Sequence, residues 1–598
     1  MTEQRNLLLA VLLSMIVVFG WQYFIIGPQM QEERARQAEL QAQQQVQQEA
    51  QGGVPGVASP SAQPLSRADA IGQSGARAEI ATPSLAGSIN LTGGRFDDLR
   101  LRNYRATPDP QSPEIELLSP LASLFPWVSE HGWVARAGES QGVPTRDTQW
   151  TLAQGNTLSP GNDIELTYDN GTGLNFTRRI SVDANYMFTI ADTVDNHGTE
   201  PVSLAAYAMV LRANPPVATK FWVLHEGFVG VFNGTLNDPD YDTLAKDNQI
   251  QSFESTGGWA GITDKYWMAA VIPPQAEKFT ATYKAFDANN GKAYQADYVL
   301  PERTIAPNGS QTVLHRFFAG AKVVDLVDNY QAKLGIQRFD LAVDWGWFLF
   351  LTKPIFQALD LLYRLVGNFG VAILIFTVFV KLLFFPLANT SYRAMSKMKK
   401  LQPEMERMRE RFKDDKVQQQ QALMKLYQEE KVNPLAGCLP MLIQIPVFFS
   451  LYKVLVVTID MRHAPFFGWI KDLSAPDPTT IFNLFGLIPW NPGALPGVGQ
   501  FLMLGVFPII MGATMWVQTS LNPPPADPVQ QKIFSYMPIM FTFMLSGLPA
   551  GLVVYWAWNN LLSIIQQVTI MRSTGTPIEI LDRLLGKPKP PPRAKTPE

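Results

Sequence analysis

A lysine interrupts an apolar run of this 598-residue sequence, in the stretch FTVFVKLLFFPLAN. An ammonium group at the centre of a membrane helix, as Lys381 would be, costs about 2.5–3.5 kcal/mol on insertion scales. Thirteen Leu, Ile, Phe or Val residues between positions 371 and 387 offset that cost by roughly 4–8 kcal/mol on the same kind of scale. The helix can therefore enter a bilayer although it carries a charge.

Two interpretations of Lys381 follow from this position. Six residues, about 9 Å of helix, separate it from the end of the run at Leu387, so its flexible stem can snorkel toward the membrane surface. Alternatively, the charge faces a wet cavity inside a bundle of helices.

Polar residues in the neighbouring apolar segments favour the cavity. In the last segment they recur at i, i+4, i+8, i+11 and i+12, on one helix face: Tyr555, Asn559, Ser563, Gln566 and Gln567. Further polar side chains lie in the other segments: Thr377, Gln444, Thr514, Gln518, Ser535, Thr542 and Ser546. Singly, such residues often bridge helices. Together with a charge, they predict a hydrophilic groove that opens toward the cytoplasm.

The uneven distribution of apolar residues predicts a multi-pass α-helical membrane protein, an N-terminal anchor plus a five-helix core, with a large antiparallel β-sandwich domain. The apolar run at 7–26 is long enough to cross the bilayer core and lacks an A-x-A site, so we expect an uncleaved anchor rather than a signal peptide. The predicted order is an anchor (1–27), a flexible tether (28–85), the β domain (86–335), an interfacial helix (345–365), a span (366–387), a basic helical hairpin (388–438), a span (439–459), an outer loop (460–500), spans at 501–521, 533–548 and 551–571, and a basic tail (572–598). Within the loop, IFNLFGLIPW is too short to span and is expected to be interfacial or re-entrant.

Alternating apolar residues around Asn170-Gly171 and Asn290-Gly291 predict the hairpins of the β domain. The domain shows no catalytic constellation. A structural or docking surface is therefore favoured over a sugar- or peptide-binding cleft.

Basic residues in short loops predict the orientation. Eleven Lys or Arg residues lie between 388 and 438, two between 460 and 500, and six after 571. Both termini are therefore expected in the cytoplasm and the β domain on the outer side.

Several kinds of chemistry find no support. A single cysteine, Cys438, excludes an intrachain disulfide, and the five scattered histidines lack metal-ligand spacing. There is no P-loop, and the spans hold no Gly-flanked Ser or His dyad. We expect no enzyme, cofactor or metal, and a net charge of −3 gives no signal for DNA binding. A transporter, which usually has internal repeats, and an intramembrane hydrolase remain the alternatives.

The basic loop carries an apolar stripe at helical spacing: Met395, Met398, Leu401, Met405, Met408 and Phe412. Pro403 predicts a kink or break, and a second helix is expected to direct Val417, Met424 and Tyr427 to one side. The hairpin either packs this stripe on itself or receives substrate with adaptable Met side chains. Basic residues beside the stripe suit lipid headgroups or ribosomal RNA: Arg407, Arg409, Arg411 and Lys413.

The stretches NPLAGCLPMLIQIPVFFSLYKVL, DPVQQKIFSYMPIMFTFMLSGLPAGLVVYW and NNLLSIIQQ resemble the YidC family of membrane protein insertases, in order along the whole chain. The resemblance implies a bacterial inner-membrane insertase and chaperone whose groove is open to cytoplasm and lipid. Lys381 matches the basic residue of that groove, and Thr377 and Trp556 match positions along the route of the incoming segment.

The resemblance also implies the partners: nascent membrane proteins, membrane lipids, the Sec translocon, and the ribosome with its signal-recognition targeting machinery. The chain departs from the family in two places. Many bacterial members carry Arg where this chain has Lys381, so bidentate pairing to a carboxylate is not available. The stretch from 481 to 500 is longer than usual.

Overall fold

In the computed structural model, the described residues are 64–578 except 136–141, 217–223, 247–248, 289–290, 347, 413–414, 431, 433–438, 489, 491, 496–498, 524–527 and 577. The predicted anchor, most of the predicted tether and nearly all of the basic tail lie outside them. Two compact units are present, and the chain passes from the first to the second between Ala342 and Val343.

The first unit is built on two largely antiparallel sheets, one of eleven strands and one of nine, which confirms the predicted antiparallel sheet. The strands of the eleven-stranded sheet are β1 Arg77–Ala81, β2 Leu85–Asn90, β3 Arg95–Arg105, β4 Glu114–Leu118, β5 Trp127–Ala135, β7 Thr157–Leu158, β11 Val202–Ala213, β14 Ile250–Thr256, β17 Lys278–Ala288, β18 Gly291–Val299 and β19 Arg303–Ile305. The strands of the nine-stranded sheet are β6 Thr151–Gln154, β8 Ile164–Asp169, β9 Leu174–Val182, β10 Met187–Asn196, β12 Gly227–Phe232, β13 Thr235–Asn237, β15 Gly258–Thr263, β16 Trp267–Ile272 and β20 Ser310–Ala321.

Aromatic side chains fill the space between the two sheets. Phe96 of β3 lies 5.2 Å, between ring centroids, from Phe188 of β10 and from Phe317 of β20. All three rings are buried. Ring pairs at this distance contribute beyond the area that they bury, so these contacts hold the two sheets face to face.

The hairpin of β8 and β9 shows how the sequence pattern produces the sheet. Alternate residues are buried on both strands, and Tyr168 pairs with Phe176 across them. In the turn, the Asn170 side-chain oxygen accepts from the backbone N–H groups of Thr172 (2.8 Å) and Leu174 (3.0 Å). Gly171 has a φ of 70°, which favours glycine. The predicted turn therefore forms at the predicted residues.

The first unit begins earlier and ends later than predicted. A short helix, α1 (Arg67–Gly72), and all of β1 precede residue 86. The side chains of Arg67 and Arg77 pair with Asp98 and Asp97 of β3, and these pairs tie the segment to the sheet. The prediction of a flexible tether up to residue 85 is therefore wrong from residue 64 onward.

Three more helical elements belong to the first unit: α2 (Tyr241–Ala245), α3 (Val324–Leu334) and a 3-10 turn at Phe339–Ala342. Phe339 is buried against Trp259 and Phe318, at centroid distances of 5.3 and 5.5 Å. The unit thus continues past the predicted end at residue 335.

The second unit is helical. Its helices are α4 Leu349–Val366, α5 Phe369–Leu383, α6 Phe385–Arg411, α7 Lys416–Glu429, α8 Leu439–Val457, α9 Gly499–Leu502, α10 Val506–Leu521, α11 Pro528–Leu545 and α12 Ala550–Ser573. Short 3-10 turns lie at Ile459–Met461, Ile481–Gly486 and Pro492–Ala494. Pro403 lies inside α6, which is one helix where a kink or break was predicted.

The predicted spans differ from these helices in length. Within the described residues, no single helix is both long and apolar enough to cross a bilayer, although α5 and α6 together meet that test across a bend of 68°. Gln444–Val457 and α10 are apolar but shorter. Helix α11 begins five residues before the predicted span, because Pro528 suits a first helical position.

A buried carboxylate explains why the predicted span at 501–521 is broken. Asp477 accepts a hydrogen bond from the backbone N–H of Phe507 (3.0 Å) in the first turn of α10. The Thr479 hydroxyl accepts from the N–H of Val506 (3.1 Å). Because a helix N-terminus needs such acceptors, α10 starts at Val506 and is separate from α9.

Candidate functional site

Lys381 lies in the last turn of α5, and its side chain points to α12. The Nζ atom donates a hydrogen bond to the Ser563 hydroxyl oxygen (2.8 Å), and that hydroxyl donates to the carbonyl of Asn559 (2.8 Å). Ser563 is buried. This geometry brings the predicted lysine together with the predicted polar stripe, as the groove interpretation requires.

The polar stripe on α12 is largely buried, and several of its atoms have no partner. The side chains of Asn559, Ser563 and Gln567 are buried. Three buried atoms of the stripe have no hydrogen-bond partner among the described residues: Asn559 Oδ1, Gln566 Nε2 and Gln567 Oε1. Unpaired polar atoms are costly in an apolar core. These atoms of α12 therefore remain available as hydrogen-bond partners for water or polar groups.

Other polar residues extend the face in both directions along α12. Gln444 of α8 donates a hydrogen bond to the hydroxyl of the buried Tyr555. Gln567 Nε2 donates to the side-chain oxygen of Asn522 (3.0 Å), just after α10. The predicted stripe therefore contacts both α8 and the end of α10.

Trp556 is half-buried among aromatic side chains. Its ring lies 4.7 Å from Phe448 of α8 and 5.9 Å from Phe541 of α11, both at steep angles. The indole is therefore held at the meeting point of three helices.

Not every predicted groove residue has a free polar group. The Thr377 hydroxyl is buried and donates to the carbonyl of Ile373 in its own helix (2.6 Å). Thr514 likewise donates to Ile510 (2.9 Å), while accepting from Asn560 at 3.4 Å. Gln518 is half-buried. Three hydroxyls in or just after α11 also donate to carbonyls of that helix: Ser535, Thr542 and, one residue past its end, Ser546. These hydroxyls therefore bond mainly within their own helices.

Sequence reasoning missed three residues around the site. The side chain of the buried Tyr392 of α6 is hydrogen-bonded to the Ser563 hydroxyl. Trp558 Nε1 donates to the carbonyl of Leu374 (3.1 Å), and this bond joins α12 to α5. The side-chain amide of Asn560 donates a hydrogen bond to the Thr514 hydroxyl oxygen (3.4 Å). The adjacent asparagines at 559 and 560 were a usable signal, whereas nothing in the local sequence marked Trp558.

The helical hairpin of α6 and α7 packs part of its apolar stripe on itself. Met405 is buried, and its sulfur accepts from the Tyr427 hydroxyl (3.8 Å). Met395, Met398 and Met408 are half-buried. Arg407 and Arg411 are exposed and Arg409 is half-buried. On α7, Val417 and Met424 are exposed and Leu426 is buried.

A second contact joins α6 to the end of α12. Lys400 Nζ donates to the carbonyl of Thr574 (2.6 Å). An ammonium group at a helix C-terminus also complements the helix dipole. The basic hairpin is thus tied to the helix that carries the polar stripe.

The β unit has its own buried polar cluster. Arg178 makes a bidentate pair with Asp192 (2.6 and 3.1 Å), and Tyr298 is hydrogen-bonded to His315 Nδ1 (2.6 Å). Burial lowers the pKa of His315 to about 4 and holds the pKa of His131 well below its ordinary value. The neutral rings pack as part of the core, and no metal-binding group of His, Cys, Asp or Glu occurs among the described residues.

Two family models match the chain: the YidC periplasmic domain over residues 77–358 and the 60Kd inner membrane protein over residues 361–576. The chain is 51% identical over 601 residues to the membrane protein insertase YidC of Rhizobium meliloti (strain 1021), covering 99% of this chain and 100% of that relative. The chain belongs to the YidC family of membrane protein insertases. The resemblance inferred from the sequence is thereby confirmed.

A second relative supports the same family assignment. The insertase of Bradyrhizobium diazoefficiens is 49% identical over 610 residues, covering 98% of both chains. A crystal structure of an active YidC insertase with its first transmembrane domain resolved has 19% identity and a TM-score of 0.35, covering 82% of this chain and 91% of that one.

Membership of the YidC family settles the coarse location and class. The matched models describe an inner membrane protein with a periplasmic domain. The strands of the β unit all lie within the residues matched to that domain. The relatives are insertases by name and not enzymes, which confirms the prediction that this chain is not an enzyme.

Proposed function

We propose that this protein inserts nascent membrane proteins into the inner membrane through the polar groove beside Lys381, and helps them to fold there. The observation that carries the proposal is the hydrogen bond from Lys381 to Ser563, on a face of α12 where Asn559, Gln566 and Gln567 keep unpaired polar atoms. A cation beside a polar cleft suits transient contact with polar or acidic segments.

The ammonium group is held by a neutral acceptor. Within the described residues, no carboxylate forms an ion pair with Lys381. A carboxylate adds a Coulomb attraction to the ammonium group that a neutral hydroxyl does not offer. An acidic tail that enters the groove therefore replaces the Ser563 hydroxyl as the partner of Lys381. When the tail leaves, the Lys381–Ser563 hydrogen bond forms again.

The mechanism is thermodynamic and makes no covalent bond. A polar or acidic tail that crosses the membrane must leave water, and this desolvation sets the barrier. The groove lowers the barrier because polar side chains replace water over half of the path. The apolar part of the substrate then partitions into lipid past Thr377 and Trp556, driven by its own hydrophobicity.

The remaining parts of the chain serve delivery. With both termini in the cytoplasm, the α6–α7 hairpin lies at the cytoplasmic mouth of the groove and the β unit lies in the periplasm. Exposed Arg407 and Arg411 of the hairpin and the basic tail contact lipid headgroups and the ribosome with its signal-recognition targeting machinery. The protein acts alone on small substrates and beside the Sec translocon on larger ones.

Reconstitution tests this function directly. The purified full chain in lipid vesicles is mixed with a small phage-coat-like protein that has an acidic translocated tail, and protection of the tail from added protease is measured. We expect protected, uncleaved substrate well above the level in empty vesicles. Cleaved substrate would indicate a hydrolase, and protection equal to that in empty vesicles would refute the insertase.

Crosslinking tests the route. Photoreactive groups placed at Thr377 and at Trp556 should both crosslink to a stalled nascent chain. A group at Leu383, which is 73% exposed on the same helix as Thr377, is the matched control for lipid-facing positions. Equal crosslinking at all three positions would contradict a defined route.

A further inference from the structure

An exposed apolar loop follows α8 in the chain, whereas the basic hairpin precedes α8. The segment from Ile481 to Trp490, here called the apolar loop, precedes α9 and α10. Six of its side chains are large, apolar and exposed: Phe482, Leu484, Phe485, Leu487, Ile488 and Trp490. Leu487 alone is 83% exposed. An exposed apolar patch of this kind marks a surface that contacts another protein or a membrane.

The surrounding sequence carries no charge. No Asp, Glu, Lys or Arg occurs from Pro478 to Ala526, a stretch that contains the apolar loop, α9 and α10. Protein interfaces surround their apolar centre with a polar rim. A long uncharged stretch is instead typical of segments that contact acyl chains.

The backbone of the apolar loop satisfies many of its own polar groups. The N–H of Phe485 donates to the carbonyl of Thr480 (2.8 Å), and the N–H of Ile488 donates to the carbonyl of Asn483 (3.0 Å). The Asn483 side chain donates to the carbonyl of Trp490 (3.2 Å). Internal pairing of this kind is what non-helical backbone needs at membrane depth.

Two strained residues give the apolar loop its shape. Leu484 has φ 50° and ψ 48°, and Phe485 has φ 57° and ψ 34°, which is left-handed backbone. Bulky side chains avoid this region, and Gly or Asn would relieve the strain. Large apolar residues at these positions are explained if the free energy gained when a surrounding apolar medium covers them offsets the backbone strain.

We infer that the apolar loop inserts into the membrane leaflet opposite the basic hairpin, with the acyl chains of lipids as its partner. Hydrogen bonds from Ile481 N–H to the Leu504 carbonyl (3.1 Å) and from the Thr480 hydroxyl to the Leu502 carbonyl (2.5 Å) fasten the loop to the segment between α9 and α10. The inserted loop therefore fixes the depth of the first turn of α10. The inference rests on the inner-membrane location of the family and is independent of the groove.

Lipid-attached quenchers test the insertion. The Cys438→Ser protein carries Leu487→Cys labelled with the fluorophore NBD, in vesicles of phosphatidylethanolamine and phosphatidylglycerol with or without acyl-chain-brominated lipid. Leu383→Cys and Thr172→Cys are the references, because the first lies on an apolar helix and the second in an exposed turn of the β unit. We expect blue-shifted emission at position 487 and a bromolipid-dependent loss of intensity similar to that at 383.

Two results would overturn the inference. Water-like emission at position 487 without bromolipid quenching, as expected at 172, would place the apolar loop in solvent. Blue-shifted emission without quenching would mean that protein covers it, from this chain or a second copy. Insertion activity is measured on the same labelled protein, so a failure of the loop inference remains distinguishable from a failure of the groove.

Discussion

The ammonium group of Lys381 and the hydroxyl of Ser563 are 2.8 Å apart, although 182 positions separate the two residues in sequence. The contact joins the last turn of α5 to the middle of α12. It directs the charge toward the polar face of α12. A snorkelling lysine would instead extend toward the membrane surface.

Charge at position 381 should matter more than side-chain shape. Lys381→Arg should retain most insertion activity, whereas Lys381→Ala should reduce it most for substrates with acidic tails. The reason is that a neutral side chain cannot form the charge-assisted bond. The measurement is protease protection of two substrates that differ only in acidic or neutral tail residues. Equal activity of the Ala variant on both would leave Lys381 as a snorkelling residue.

Removing the helical hairpin should stop insertion without unfolding the membrane core. A deletion of residues 395–430 takes away Lys400, Met405 and Tyr427, so that the bond to Thr574 is lost. It leaves α5 and α12 intact. Insertion is measured by protease protection, and folding by the thermal stability of the purified protein. Normal insertion by this variant would refute the proposal that the hairpin receives the substrate.

Truncation of the tail is the matched comparison. Removing residues 580–598 should weaken ribosome co-sedimentation in a salt-sensitive way, because five basic residues are lost: Arg583, Lys587, Lys589, Arg593 and Lys595. Post-translational insertion should remain largely intact. Unchanged co-sedimentation at low salt would argue against ribosome contact through the tail.

The β unit should be dispensable when it is removed at its structural boundaries. Deleting residues 64–342 removes the whole unit and keeps Asp344, whose carboxylate pairs with Lys453 of α8 (2.6 Å). Extending the deletion to residue 366 also removes α4, which buries Ile355 and Phe356 in the helical unit. Complementation should succeed with the first deletion and fail with the second. Loss of viability with both would show that the β unit itself is required.

The β unit should lose stability as the pH falls. Burial holds the pKa of His315 at about 4, against about 6.5 in an unfolded chain. The unfolded state therefore binds more protons below pH 6.5, and the loss approaches about 3 kcal/mol near pH 4. His131 adds a loss in the same direction. Thermal unfolding of the full chain between pH 7 and pH 4 measures it, and His315→Gln should flatten the profile. A wild-type profile as flat as that of the variant would contradict this account.

Local periodicity predicted much of this structure because it reports on single elements. Alternation around Asn170-Gly171 predicted a hairpin that forms, and the spacing of Asn559, Ser563 and Gln567 predicted one helix face. Both patterns depend on residues a few positions apart.

Long-range contacts account for what the sequence did not reveal. The pairing of Arg67 with Asp98 orders a segment whose Pro- and Ser-rich neighbourhood predicted a tether. The hydrogen bond from the Phe507 N–H to Asp477 caps the first turn of α10 across 30 positions. The Lys381–Ser563 bond depends on how two helices pack. None of these partners is marked by a local pattern.

The 68° bend between α5 and α6 has a mechanical consequence. Phe384 alone separates the two helices, and Lys381 lies three residues before it. Any change in this bend would therefore also move the last turn of α5 and change the distance between the ammonium group and Ser563. The helical hairpin that is proposed to receive the substrate is therefore mechanically connected to Lys381, the charge that is proposed to attract the substrate's tail.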